Sequence, residues 1–145
     1  MSRILEIQKR SNQYLASFEA NVVRIIESDQ EKTVDFNRMQ MLKSKDVDNN
    51  PLIHASTGSE LLSKAYAKRT GKKKPNLWLR GDFQEGMFLF MPSVKEYFIT
   101  SKNYLTQWLS KNYGKIFGVS PENQPKAQAI NDKAIIEDYF KNVFQ

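Results

Sequence analysis

The sequence contains no cysteine and only one histidine, His54. Without cysteine the chain can form neither disulfide bonds nor thiolate metal sites, and one imidazole alone does not make a usual transition-metal site. A nucleophilic triad would also need a cysteine, or a second catalytic partner that His54 lacks. We therefore expect His54 to pack against its neighbours or to make a local hydrogen bond.

Two acidic patterns resemble functional sites but do not fit them. Asp82 and Glu85 lie three residues apart in a predicted turn, a spacing common in surface loops and helix caps. The segment from Asp46 to Pro51 begins like a calcium-binding loop, but Pro51 occupies the position that needs glycine, and Thr57 the position that needs glutamate. The sequence thus predicts a plain turn here, and no enzyme, cofactor or metal site anywhere.

Long apolar runs are also missing. No stretch approaches the ~18 apolar residues that a membrane span requires, and the N-terminus, MSRILEIQKR, lacks the apolar region of a signal peptide. We expect a soluble protein that is neither secreted nor bound to a membrane. With 145 residues and no internal repeat or linker, the chain is expected to form one domain, 1–145, from which an N-terminal helix (1–30) and a C-terminal helix (121–145) are candidates to protrude.

One stretch lacks acidic residues altogether. The chain has a net charge of +6, and the segment from Leu61 to Arg80 holds seven of its basic residues: Lys64, Lys68, Arg69, Lys72, Lys73, Lys74 and Arg80. Such a block attracts nucleic acid or an acidic protein surface, or it forms a solvated loop, and composition does not separate these cases. Trp78 and Phe83 would add stacking groups to a nucleic-acid site.

Apolar periodicity predicts an α+β protein. In the N-terminal third it predicts one long helix from Arg3 to about Ser28, a short strand from Lys32 to Asn37, and a helical turn or two from Phe36 to Lys43. The long helix should bury Leu15, Phe18, Val22, Ile25 and Ile26, and the helical turns Met39 and Leu42.

The remaining elements are a helix from Glu60 to Thr70, a β-hairpin near 87–100 and two further helices. Ser56, Thr57 or Ser59 could cap the first helix, and Gly71 should end it. The hairpin pairs 87–91 with 94–100 across Pro92 and Ser93. Helix 104–113 should direct Leu105, Trp108 and Leu109 to one side. A last helix, starting at Ser120 or after Pro125, should bury Ala129, Ile130, Ala134, Ile136, Tyr139, Phe140 and Val143.

The first hairpin strand is apolar at every position. Both of its faces therefore need cover: one from the core, and the other from a helix or from another subunit, with complete burial inside one domain as the alternative. The candidate subunit-interface residues are Met87, Phe88, Leu89, Phe90 and Met91.

Short phrases in the sequence resemble a group of phage proteins. YAKRTGK at 66–72 and PNLWLRGDF at 75–83 resemble the YAxRKG and NLxLTGDF phrases of small bacteriophage virion proteins of the head-to-tail connector, tail-completion and minor-tail group. WL at 108–109, YG at 113–114 and IFG at 116–118 are similar to a later element of relatives from phages and prophages of Bacteroidetes. Arg80 stands where the NLxLTGDF phrase usually has threonine. The turn from Asp46 to Ile53 resembles the D-x-x-G-x-x-I turn of the same group, with Asn50-Pro51 in place of its glycine.

The resemblance implies a structural, non-enzymatic virion protein. It would be a subunit of an oligomeric ring around the DNA channel, assembled in the host cytoplasm with portal, neck or tail proteins of the same phage. The basic loop from Lys68 to Lys74 would then face either an acidic portal surface or the DNA. The portal surface is favoured, because a channel that must release DNA gains little from dense positive charge. The alternative is a small basic nucleic-acid-binding accessory protein.

Overall fold

The computed structural model describes residues 2–77 and 81–145. In this part of the chain the elements are α1 (Arg3–Ala16), α2 (Phe18–Ser28), α3 (Gln30–Leu42), α4 (Lys64–Thr70), α5 (Asp82–Glu85), β1 (Met87–Ser93), β2 (Glu96–Ser101), α6 (Thr106–Tyr113) and α7 (Gln124–Phe144). The two strands form an antiparallel sheet. The predicted α+β class with C-terminal helices is confirmed. Trp78 and the predicted contact residue Arg80 lie outside the described residues.

The N-terminal helix is not continuous. It breaks at Ser17, whose amide donates to the Tyr14 carbonyl at 3.2 Å, and α2 starts at the next residue. The predicted single helix is therefore wrong at this point. The break rotates the apolar stripe, so Val22 and the two isoleucines of α2 are buried as predicted, whereas Leu15 and Phe18 are exposed.

The predicted strand from Lys32 to Asn37 is wrong, because these residues belong to α3. The side chains that α3 buries recur every three or four residues, as in any packed helix, but three of the five are polar: Thr33, Val34, Asn37, Gln40 and Met41. Met39 and Leu42, which were expected to face inward, are exposed. The predicted turn from Asp46 to Pro51 is confirmed, since the Asp46 carboxylate accepts the amides of Asp48 and Asn50, each at 2.9 Å.

Asn37 and Gln40 bind the connector that follows α6. Asn37 Nδ2 donates to the Ile116 carbonyl at 2.7 Å, and its Oδ1 accepts the Gly118 amide at 2.8 Å. Gln40 repeats the pattern one helical turn later, with the Gly118 carbonyl at 3.0 Å and the Ser120 amide at 2.7 Å. The two carboxamides therefore satisfy four backbone groups of the connector, as a neighbouring strand would.

The predicted hairpin is confirmed. Leu89 pairs with Ile99, and Phe90 with Phe98. Pro92 and Ser93 lie inside β1 rather than between the strands, and the pairing is irregular from Phe90 to Ser93. One face of the sheet enters the core, where Met87, Leu89 and Ile99 are buried with Val22, Ile26, Val34, Met41, Leu52, Phe83, Leu109, Ile116, Val119 and Ala127.

Polar side chains from α2 and α3 occupy the outer edge of β1. The Leu89 amide donates to Gln30 Oε1 at 2.7 Å, and the Met91 amide donates to Glu27 Oε1 at 3.2 Å. Arg38 donates to the carbonyls of Met87 and Gln84. This edge is thereby closed against pairing with a further strand.

The last helix, α7, packs against α1, α2 and α3. It begins at Gln124, after a turn in which the Ser120 carbonyl accepts the amides of Asn123 and Gln124, so the later of the two predicted starts is the closer one. Its buried residues are Ala127, Asn131 and Val143. Of the residues predicted to be buried, Ala129, Ile136 and Phe140 are exposed and Ile130, Ala134 and Tyr139 are half-buried, while Val143 is buried as expected.

Candidate interaction surfaces

The basic segment forms α4 and the loop after it. The helix starts at Lys64 rather than Glu60, and its N-cap is Ser63, whose hydroxyl accepts the Tyr66 amide at 3.2 Å. Before the helix, the Leu62 amide donates to the Lys73 carbonyl at 2.9 Å, which ties the two ends of the segment together. Gly71 ends the helix as predicted, with a φ of 73° that glycine adopts without strain. No residue of α4 is buried.

The cations of this segment face solvent. Among the described residues, no ion pair involves Lys64, Lys68, Lys73 or Lys74, and all four are exposed. Arg69 is also exposed and places its guanidinium over the Tyr66 ring at 5.2 Å from the centroid. The segment thus presents positive charge outward, and only the half-buried Lys72 turns toward a cleft.

This cleft has a volume of about 760 Å³ and lies between the segment 54–77 and the region around α6. The segment 54–77 contributes Leu61, Leu62, Tyr66 and Pro75 among others, and the opposite wall contains Tyr104, Leu105, Trp108 and Tyr113. Phe83 and Leu109 line it as buried residues. At its rim Tyr104 is 88% exposed, Leu61 55% and Trp108 54%. A mainly aromatic and aliphatic lining with a few polar groups is typical of binding sites.

His54 is part of the lining and makes local contacts, as predicted. Its Nδ1 accepts the Ser56 amide at 3.2 Å and lies 2.8 Å from the Ser56 hydroxyl. The ring meets Tyr113 edge to face at a centroid distance of 5.3 Å, and Trp108 at 6.3 Å. Because Nδ1 accepts a hydrogen bond, the neutral ring carries its proton on Nε2.

The Tyr113 hydroxyl in this cleft is held neutral. Burial raises the pKa of Tyr113, and the neighbouring Tyr66 raises it further. A neutral phenol can donate or accept a hydrogen bond, whereas it is a poor base or nucleophile near neutral pH.

Sequence reasoning missed this cleft because three separate segments build it. Trp108 was predicted to pack with Leu105 and Leu109, but only Leu109 is buried. Phe83, which was offered as a stacking group for nucleic acid, is 3% exposed and cannot reach a base, so this part of the nucleic-acid interpretation is wrong. The high exposure of Tyr104 and Trp108 carries no signal in the sequence.

The hairpin presents a second surface. Its outward face carries Phe88, Phe90 and Phe98, with ring centroids 6.1 Å apart for the first two and 5.6 Å apart for the last two. Met87 and Leu89, two of the five predicted interface residues, are 3% and 2% exposed. We remove them from the prediction because a side chain buried in its own core cannot contact a partner. Phe88, Phe90 and Met91 stay predicted interface residues.

A third surface runs along α7. Ile136, Phe140 and Phe144 recur every four residues, and Ile136 and Phe140 are 55% and 52% exposed. The rings of Phe140 and Phe144 stack at 5.3 Å, and Tyr139 packs edge to face on both. We call Ile136, Phe140 and Phe144 together the α7 stripe. By helical spacing it lies opposite the buried Ala127 and Asn131, whereas Val143 is buried directly beside it.

Within the described ranges no group of three or more histidine, aspartate or glutamate side chains could hold a metal ion. The paired acids Asp82 and Glu85 belong to α5 and are exposed. Over the same ranges, no helix is both long enough and apolar enough to cross a membrane. No protein-family model, curated protein or solved structure matches this chain.

Proposed function

We propose that this protein is a structural subunit that works by assembly, in the oligomeric ring of a bacteriophage head-to-tail connector or tail. The phage setting comes from the sequence resemblance at 66–83 and 108–118. The observation that carries the assembly role is the α7 stripe, because contiguous groups of exposed apolar side chains mark contact sites, whereas single ones do not.

The stripe suits a protein interface in spacing and composition. Residues four apart lie on one side of a helix, so Ile136, Phe140 and Phe144 form one continuous apolar row. Burying such side chains contributes roughly 25 cal/mol per Å² of apolar surface, and large aromatic side chains supply much of the area in protein interfaces. The stripe is thus a source of association energy that a monomer leaves unused.

The hairpin face supplies a second apolar surface on a different element. Phe90 and Phe98 are both exposed there. A protein with two different adhesive surfaces can pair one surface with the other of the next copy, and such head-to-tail contacts close into rings when the rotation permits. Two distinct apolar surfaces therefore favour a ring over a simple dimer.

The exposed cations favour one alternative, a small basic nucleic-acid-binding accessory protein. Lys64, Lys68, Lys73 and Lys74 are free of ion pairs among the described residues, as phosphate-binding side chains are before they bind. Non-specific contact with DNA in a channel would use the same side chains.

The solution mass, measured by light scattering, tests the proposal. The natural protein should form a discrete oligomer, and the double variant Phe140→Ser, Phe144→Ser should be a monomer with an unchanged circular dichroism spectrum. Trp108→Ser is the matched control, since its side chain is as exposed as that of Phe140 and lies in the cleft. A natural protein that stays monomeric at all concentrations would overturn the assembly role.

The same measurement, repeated with duplex DNA at two salt concentrations, distinguishes a ring subunit from a nucleic-acid-binding accessory protein. A nucleic-acid binder should bind strongly at low salt and lose affinity steeply at moderate salt, because each phosphate contact releases counterions. A ring subunit should keep the same mass with and without DNA at moderate salt. A protein that is monomeric alone and shifts fully onto DNA would transfer the assignment to the accessory protein.

A further inference from the structure

We propose that the cleft between segment 54–77 and α6 binds a peptide segment of a partner protein, one that carries apolar anchor side chains flanked by aspartate or glutamate. The proposal does not depend on the assembly role, since neither the α7 stripe nor the hairpin face lines this cleft. It assigns a separate surface to a separate kind of partner.

The walls of the cleft fit apolar side chains. Leu61 and Leu62 stand on one side, with Leu105 and Trp108 on the other. The volume of about 760 Å³ lies in the range of sites that bury most of a ligand. Because Leu61, Tyr104 and Trp108 are already exposed at the rim, a partner can enter without first displacing a side chain of the core.

Polar groups in the cleft can serve the backbone of a peptide. Ser56, Thr57, Ser59 and Asn103 are among the lining residues. Hydroxyl and amide side chains donate and accept hydrogen bonds, which satisfies the amides and carbonyls that an extended or helical peptide leaves free. A mainly apolar lining with a few polar groups is the usual composition of such a groove.

The basic residues near the cleft favour a peptide with acidic residues beside its apolar anchors. Lys72 lines the cleft, and Lys64, Lys68, Arg69, Lys73 and Lys74 surround it in sequence, whereas the nearby acids are Glu60 and the lining residue Asp82. Within the lining Lys72 and Asp82 balance, so the excess of positive charge belongs to the five exposed cations of the adjoining segment, where the flanks of a bound peptide would lie. Complementary acidic residues would raise the association rate and exclude basic competitors.

The same charge argues against a second copy of this chain. The α7 stripe is the obvious apolar row that a neighbouring copy could insert, but the exposed charges beside it are mixed: Lys133 pairs with Glu137, and Asp132 and Lys141 are also exposed. The stripe therefore offers no excess of acidic residues to the basic segment. A protein of net charge +6 therefore fills this cleft less favourably than an acidic partner does.

A nucleic-acid strand fits the walls less well than a peptide. Bases need open ring faces to stack on, and the leucine side chains of both walls provide none. Phe83 lies at the buried end of the cleft and Arg69 covers the Tyr66 ring. Tyr104 and Trp108 are the open aromatic side chains that remain on the lining.

Selection from a displayed library of random peptides on the full-length protein tests the proposal. Enriched sequences should combine leucine, isoleucine, phenylalanine or tryptophan with aspartate and glutamate. Calorimetry with one synthetic selected peptide should then give a dissociation constant that rises about tenfold or more in Trp108→Ser, because exposed aromatic residues dominate such grooves. Phe140→Ser, equally exposed but outside the cleft, should leave the dissociation constant unchanged.

Further variants guard against misfolding and test the charge. Tyr104→Ala, at a side chain that is 88% exposed, should also weaken binding, and it removes almost no packing. Lys73→Glu with Lys74→Glu should weaken binding and reduce its salt dependence, whereas Lys126→Glu with Lys133→Glu, on α7, should not.

Four outcomes would overturn the proposal. They are no enriched peptide, enrichment of basic peptides, peptide binding that Trp108→Ser and Tyr104→Ala leave unchanged, and displacement of the peptide by an equimolar thymidine oligonucleotide, which would assign the cleft to nucleic acid. A Trp108→Ser protein that loses its oligomeric mass would assign the cleft to a second copy instead. Peptide binding by a strictly monomeric protein would leave this inference standing while the assembly role failed.

Discussion

Asn37 is completely buried and uses both ends of its carboxamide on one loop. Replacing it with alanine leaves the Ile116 carbonyl and the Gly118 amide without these partners. Each unsatisfied buried group costs about 1–3 kcal/mol, so Asn37→Ala should lower the free energy of unfolding by about 2–5 kcal/mol in urea titrations. Asn142→Ala is the control, because that side chain is exposed and should cost about 0.5 kcal/mol or less. Equal stability of the two variants would contradict this role.

Asp138 accepts hydrogen bonds from Arg24 at 2.9 Å and from the Tyr14 hydroxyl at 2.7 Å. Burial opposes its charge, but the bonds from Arg24 and Tyr14 outweigh burial and hold the pKa of the carboxyl below its usual value. Burial first, and then Asp138, raise the pKa of Tyr14 to about 12. The carboxyl pKa is thus lower in the folded state than in the unfolded one, whereas the phenol pKa is higher.

The lowered pKa of Asp138 and the raised pKa of Tyr14 predict how the stability of the fold varies with pH. Stability from Asp138 is present above the unfolded pKa of about 3.9 and is lost as the pH falls through the folded value. Stability from neutral Tyr14 is present below pH ~10 and is lost as the pH rises toward 12. Asp138→Asn should therefore lower Tm at pH 7, and this deficit should shrink as the pH falls below about 4, while the exposed control Asp132→Asn should match the natural protein throughout. A deficit that persists undiminished in acid would refute the argument.

At the scale of elements, the outer edge of β1 depends on two side chains from the preceding helices. The double variant Glu27→Ala, Gln30→Ala should leave the amides of Leu89 and Met91 open to solvent or to another strand. We expect faster hydrogen exchange at Leu89 and earlier turbidity on heating, because an open edge pairs with other chains. Glu19→Ala, exposed on α2, is the control. Unchanged exchange at Leu89 would show that the edge is protected in another way.

The elements that the sequence predicts well are those with local causes. The hairpin, the turn at Asp46 and the end of α4 at Gly71 each depend on residues within a few positions of one another. The first half of α3 was assigned to a strand because apolar and polar residues alternate from Lys32 to Asn37, and nothing in the sequence shows that Asn37 and Gln40 are buried. Their partners lie 78 to 81 residues away in the chain, and no local pattern shows such a partner.

The candidate surfaces likewise divide into those that the sequence reveals and those that depend on distant residues. The basic segment is visible in the sequence because charge is visible, and the exposed phenylalanines of the hairpin follow from an apolar run that one core cannot cover on both faces. The cleft needs His54, Tyr66 and Trp108 to meet in space, which no spacing predicts. The α7 stripe was misassigned because exposed and buried apolar residues look alike on a helix that has both.

At the scale of the whole molecule, two of the three apolar surfaces, the hairpin face and the α7 stripe, lie on other elements than the basic segment. The cations concentrate on the segment around α4, and exposed phenylalanines concentrate on the hairpin and on α7. Single exposed apolar residues are ordinary in monomers, whereas grouped ones mark contacts. The proposed self-association and the proposed binding of an acidic partner thus use different surfaces of the molecule.

The contacts between α3 and the connector also constrain how the chain reaches this fold during synthesis. When α3 leaves the ribosome, residues 116–120 do not yet exist, so the carboxamides of Asn37 and Gln40 cannot be buried at that moment without losing water. The N-terminal helices must wait, solvated, until most of the chain has been made. Closing loops of about 80 residues is slow compared with local helix formation, so we expect folding to complete only after translation ends.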